Sequence, residues 1–170
     1  MADNQKFFST PPFGGQGGVK YTDYNIVFQE IPDEVTLAIN LSNCPHRCVG
    51  CHSPHLQQNI GKELTESVLS DLLKVYENAI TCICFMGGDA NPEEVCRLAS
   101  FVREKWNGKI KTGWYSGCNT LNNATFADSF NFIKLGAYME SLGGLNKKTT
   151  NQRLYKVENG NLMNITARMQ

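Results

Sequence analysis

The sequence lacks any charge asymmetry: sixteen lysines and arginines face sixteen aspartates and glutamates in 170 residues. A balanced chain has no field to attract a polyanion, so neither nucleic acid nor an anionic membrane surface is expected as a partner. Long apolar runs are missing too. None approaches the roughly 18 residues of a membrane span, and the opening MADNQKFFSTPPFGGQGG has no charged head and continuous apolar core of a secretory signal. The expected compartment is the cytoplasm. Histidine is scarce, with three in the chain, whereas cysteine is plentiful, with seven. An odd number of thiols in a reducing compartment does not read as a disulfide framework, which turns attention to metal or redox chemistry.

The length suits one domain that buries about two-thirds of its unfolded surface. Residues 1–19 carry Pro11, Pro12 and a run of glycines without apolar periodicity. They are expected to form a flexible leader, with residues 20–170 as a single domain. A first strand is expected around Asn25 to Gln29, turning through Pro32 and Asp33 into Val35 to Leu41. There Val35, Leu37, Ile39 and Leu41 alternate with Thr36, Ala38 and Asn40. Val68, Leu69, Leu72, Leu73 and Tyr76 mark an amphipathic helix capped by Thr65. Ile80 to Phe85 is apolar and of strand length. Behind Asn91 as cap and Pro92 as first helical residue, Val95, Leu98, Ala99, Val102 and Trp106 recur at helical spacing. Lys109 to Ser116 and Phe132 to Leu135 read as strands, with a short helix over Ala124 to Phe130 between them. LYKVE and LMNIT flank Asn159-Gly160 as a hairpin.

Strands alternating with helices imply a parallel sheet with right-handed crossovers. A closed eight-unit barrel needs about 200 residues or more. The expected fold is therefore α/β, an open partial (β/α) barrel with a mostly parallel sheet and its chemistry at the C-terminal strand ends.

One stretch at such an end concentrates the chemistry. NCPHRCVGCHSPHL, residues 43–56, holds Cys44, Cys48 and Cys51 and all three histidines. The spacing C-x3-C-x2-C on a loop softened by Pro45 and Gly50 lets three thiolates face one centre. A structural zinc would need a fourth ligand, from His46, His52 or His55. A 4Fe-4S cluster on three cysteines leaves one iron free for an exogenous ligand. Three unligated thiols are the remaining reading.

The motif after a first barrel strand resembles that of the radical S-adenosylmethionine (SAM) superfamily, and Gly87-Gly88-Asp89 after the next strand is similar to its GGE-type element. Within that superfamily EVTLAINLSNCPHRCVGCHSPHL, FMGGD, GWYSG, FIKLGAYMESLGGL and TNQRLYKV most resemble the activating proteins of anaerobic, glycyl-radical ribonucleoside-triphosphate reductases. The likeness runs from Val19 to Val157. It implies a fold of the radical SAM type, a 4Fe-4S cluster on Cys44, Cys48 and Cys51, and SAM on the fourth iron. Reductive cleavage of SAM would then release methionine and a 5′-deoxyadenosyl radical that takes a hydrogen from a glycine of the partner reductase. The electron would come from a flavodoxin-like or ferredoxin-like donor.

The same resemblance assigns further residues. Gly87 and Gly88 would let the backbone approach the methionyl group of SAM, although a lone GGD is more often an ordinary βα turn. Asp89 stands where Glu is more familiar. Tyr115 and Ser116 would line the SAM site, or simply pack and turn. Gly50 occupies a position often aromatic in the superfamily, a contact that His52 would take over. Cys82, Cys84 and Cys96 read as small core residues, whereas Cys118, in a polar loop, is a candidate for a secondary metal site. Neither His46 nor His55 has an acid partner visible in sequence, which argues against a hydrolytic His-Asp arrangement. Two alternatives stay open: a radical SAM enzyme acting on a small molecule, such as a deazapurine synthase, and a non-catalytic, zinc-stabilised interaction module. Brevity favours the activase, since an incomplete barrel would leave a lateral opening for a partner's glycine loop.

Overall fold

The computed structural model describes residues 17–170. β1 (Lys20–Val27) and β2 (Thr36–Leu41) pair antiparallel, joined by a turn in which Asp33 takes a φ of 65°, a left-handed geometry that Asp tolerates. The cysteine loop follows β2 and contains one 3-10 turn, Pro54–Gln57, before the short β3 (Lys62–Glu63) pairs antiparallel with β1. Then come α1 (Glu66–Tyr76), β4 (Cys82–Met86), α2 (Pro92–Lys105), β5 (Lys111–Tyr115), a 3-10 turn over Ala124–Ser129, and β6 (Phe132–Leu135). A long loop leads to the closing hairpin of β7 (Arg153–Glu158) and β8 (Asn161–Asn164).

Local chemistry accounts for most of these boundaries. The Thr65 hydroxyl accepts from the Val68 amide at 3.2 Å, and the Asn91 side chain from Glu94 N at 3.3 Å. Each cap satisfies one of the first, otherwise unpaired, helical amides. Asn159 and Gly160 have φ of 51° and 75°, both positive as a type I′ hairpin turn requires.

The sheet runs β3-β1-β2-β4-β5-β6-β7-β8. Alternation sorts its side chains into two layers. Leu37, Ile39, Leu41, Ile83, Phe85, Trp114 and Ile133 join the main core with Leu69, Leu73, Val95, Leu98 and Val102 of the two helices. On the opposite face Cys82, Cys84 and Phe132 cluster with Ile31, from the turn after β1. The cysteines read as core residues are therefore buried, and burial pushes the Cys82 and Cys84 thiols well above their ordinary range.

The expected open partial (β/α) barrel with a mostly parallel sheet does not form. Among the described residues the architecture is an eight-stranded mixed sheet, with four of seven strand pairings antiparallel. The reason lies in the connections. A parallel pairing needs a crossover of a dozen or more residues, and three links supply one: β2 to β4 through α1, β4 to β5 through α2, and β5 to β6 through the Ala124–Ser129 turn. β1 and β2 are joined by a turn too short for a crossover and return antiparallel, and β7 comes back antiparallel beside β6 after a loop without a helix. The expected short helix over Ala124 to Phe130 is present as a 3-10 helix, Ala124–Ser129, and β1 begins at Lys20, ahead of the expected Asn25. The leader expected over residues 1–19 lies outside the described residues up to position 16. At its end, Val19 is buried in the core and its carbonyl accepts from Leu64 N at 2.8 Å. No helix among the described residues is long and apolar enough to cross a membrane.

Gly61 sets the entry to β3. Its φ is +92°, and a Cβ there would lie 2.2 Å from the Tyr21 carbonyl oxygen, whereas Gly108, at φ +71°, faces open space. Both substitutions to alanine incur the left-handed penalty of roughly 1 kcal/mol. Gly61→Ala must also push two strands apart, so in denaturant titrations it should cost about 2 kcal/mol more than Gly108→Ala.

Candidate metal centre

The three parallel pairings bring the C-terminal ends of β2, β4, β5 and β6 side by side, and the cysteine loop sits on the first of them. Two backbone bonds close this loop: Asn43 N donates to Gln58 O and Cys44 N to Leu56 O, each at 2.9 Å. Asn43 and Gly50 adopt φ of 60° and 74°, and Cys51 N bonds back to Cys48 O at 3.3 Å. The chain thus wraps between the cysteines. Cys44, Cys48 and Cys51 are all partly buried free thiols. Burial raises the Cys44 thiol, and Asp89, Cys48 and Cys51 raise it further by repulsion of its thiolate. Three thiolates within electrostatic reach of one another favour a cationic partner, and three soft anionic sulfurs are the donor set that an iron-sulfur cluster takes. The residues fit the group.

Glu140 and Tyr138, from the loop after β6, close on the same segment. A Cβ on Gly50 would come within 2.8 Å of the Glu140 carboxyl carbon, and the Tyr138 ring lies 4.7 Å from that of His52. His52 is exposed and its ring is engaged by Tyr138. His55 is exposed as well.

Gly87, Gly88 and Asp89 follow β4. Gly87 N donates to Tyr115 O at 2.9 Å, and its carbonyl accepts from Trp114 Nε1 at 2.8 Å. Both glycines have positive φ, 101° and 92°. At Gly88 a Cβ would strike Val95 Cγ2 at 2.4 Å and Leu41 Cδ1 at 2.9 Å. The missing side chain there serves the packing of α2 against the end of β2.

Asp89 carries a carboxylate role that sequence reasoning passed over. Its side chain is 2% exposed. Oδ1 accepts from the Ser116 hydroxyl at 2.5 Å, Oδ2 accepts from Gly117 N at 2.8 Å, and His46 Nε2 lies 3.0 Å from Oδ2. His46 therefore has the acid partner that the sequence did not reveal, 43 positions away. Ser116 is fully buried with its hydroxyl committed to Asp89, and the Tyr115 hydroxyl donates to Glu30 O.

The registers align Asn40, Met86, Tyr115 and Lys134 in one row across the sheet, on the face away from the helices. Lys134 is the second residue missed. It is buried, donates to Ser116 O at 3.1 Å and to Gly136 O at 2.8 Å, and among the described residues leaves one of three ammonium donors unused. Burial pushes it down to about 8, while Asp89, Cys48, Cys84 and Cys44 hold it up. This cation therefore lies within electrostatic reach of the cysteine loop. A lone lysine among the apolar residues of FIKL was the available signal.

The model of a family described as a 4Fe-4S single cluster domain matches residues 35–157, most of the chain. The chain belongs to this family. It is an iron-sulfur protein with a domain that binds one 4Fe-4S cluster. No curated protein and no solved structure matches it.

Two outcomes follow. After anaerobic reconstitution, Cys48→Ala should lose the cluster by iron and sulfide analysis, because two thiolates cannot retain it. Cys82→Ala should keep it at a cost of about 1 kcal/mol in packing. Lys134 should leave a pH signature. Between about pH 8 and its ordinary 10.5 the unfolded chain holds this proton and the folded chain does not, so stability rises with pH across that window. The unfolding free energy of the parent relative to Lys134→Met, measured without cluster, should climb by up to roughly 3 kcal/mol from pH 7.5 to 10.5.

Proposed function

We propose that this domain is a radical SAM activase that generates a glycyl radical on an anaerobic ribonucleoside-triphosphate reductase. The observation that carries the reading is the ligand set: three cysteines on one closed loop, one fewer than the irons of the cluster they fit. A 4Fe-4S cluster held by these cysteines would leave one iron for SAM and would supply the electron for its reductive cleavage.

The protein's own residues would do the rest. Cys44, Cys48 and Cys51 would hold the cluster, on a loop closed by the backbone bonds at Asn43 and Cys44. Lys134 offers a desolvated cation with a free donor, complementary to the carboxylate of a methionyl group. The second lone pairs of the Gly87 and Gly88 carbonyls suit an amino group, since each carbonyl already accepts one bond, from Trp114 and from Asn91 N. The row of Met86, Tyr115 and Lys134 gives a floor that is apolar except for one charge.

A macromolecular substrate accords with the rim. Val49, between two of the cysteines, is 79% exposed, and Met139, next to the Glu140 that packs on Gly50, is 47% exposed. Apolar side chains standing out beside a reactive centre suit docking of a folded partner. A flavodoxin-like or ferredoxin-like protein is the electron donor in this scheme.

The test mixes the cluster-loaded protein, SAM, dithionite and the folded reductase with its target glycine deuterated at Cα. Deuterium should appear in 5′-deoxyadenosine, with a carbon-centred doublet on the partner by electron paramagnetic resonance. SAM cleavage with no label transfer and no partner radical would overturn the activase reading in favour of a small-molecule substrate. A zinc-only protein without iron or sulfide would overturn both.

A further inference from the structure

We infer that His46, Asp89 and Cys118 form a second metal site, for a single divalent ion of the zinc type, beside the cysteine loop. This does not depend on the activase reading. One ligand atom from each residue lies within 4.8 Å of the other two. His46 Nε2 is 3.0 Å from Asp89 Oδ2, and Cys118 Sγ is 3.9 Å from both His46 Nε2 and Asp89 Oδ1. A tetrahedral zinc with Zn–S near 2.3 Å and Zn–N or Zn–O near 2.0 to 2.1 Å spaces its donors about 3.3 to 3.6 Å apart. Histidine and thiol face different oxygens of the Asp89 carboxylate, so a side-chain adjustment at Asp89 or Cys118, within the 4.8 Å span of the donors, would seat the ion.

The trio is not a nucleophilic triad. There a histidine takes the nucleophile on one ring nitrogen and the acid on the other. Here both the thiol and the carboxylate approach the same nitrogen, Nε2. Three donors meeting at one point is the geometry of ligation.

The surroundings hold the donors as outer-shell partners do in metal sites. Ser116 and Gly117 donate to the two Asp89 oxygens, and Cys118 N donates to Ser116 Oγ at 3.0 Å. Gly117 has no Cβ to collide with the His46 ring, which it would meet at 2.5 Å. One sulfur, one nitrogen and one oxygen select a borderline ion over magnesium or calcium, and leave a fourth position for water. Such an ion would bind together the loops after β2, β4 and β5.

Zinc can also occupy Cys44, Cys48 and Cys51, so the test uses chains whose cluster is already in place. Zinc is titrated anaerobically against a chromophoric chelator, and its first shell is read by X-ray absorption at the zinc edge. The expected result is one zinc per cluster-loaded chain, with one sulfur near 2.3 Å and the remaining donors nitrogen or oxygen near 2.0 Å. Cys118→Ala should weaken binding by about 100-fold or more, and Cys118→Ser should remove sulfur from the shell. No binding by the parent at micromolar free zinc would overturn the site. So would a shell of two or more sulfurs, or Cys118→Ala binding as tightly as the parent.

Discussion

A single buried carboxylate organises the functional end of this molecule. Asp89 is 2% exposed and accepts from Ser116 and Gly117 while facing His46 Nε2. A carboxylate withdrawn from water is tolerable only when hydrogen bonds replace its hydration. Meeting that demand forces three loops, those after β2, β4 and β5, to converge on one point. The cysteine loop is the first of them, so its placement depends on a residue outside the C-x3-C-x2-C motif.

Lys134 sets a counterweight. It is a desolvated cation within electrostatic range of Asp89 and of the Cys44 and Cys48 thiols, and its ammonium holds the carbonyls of Ser116 and Gly136. In the cluster-free chain burial makes its charge costly, and the depressed proton affinity is the measure of that cost. Opposed charges buried at the ends of neighbouring strands are a poor way to gain stability and a good way to hold an anionic group in a dry site. The tension is of the kind expected where function outranks stability.

The sheet is built to serve that end. Its four central strands, β2, β4, β5 and β6, are parallel and deliver their C-terminal ends to one side, where the loops meet. Antiparallel hairpins finish both flanks. The helices cover one face only, through the core of Leu69, Leu73, Val95, Leu98 and Val102. Among the described residues the other face therefore keeps the row of Asn40, Met86, Tyr115 and Lys134 free of α-helix cover.

What the sequence by itself determined is local. The spacing of Cys44, Cys48 and Cys51, the caps at Thr65 and Asn91, the alternation through Leu37, Ile39 and Leu41, and the Asn159-Gly160 turn each depend on residues a few positions apart, where backbone geometry leaves little choice. The C-x3-C-x2-C spacing was legible for the same reason. Tertiary structure alone decided the antiparallel return of β7 against β6, the meeting of His46 with Asp89, the reach of Cys118 to both, and the place of Lys134. Those contacts span 18 to 72 positions of chain. They are fixed by which strands pair and in what register, and a side-chain pattern of period two or 3.6 carries the face a residue occupies but not the neighbour it will meet.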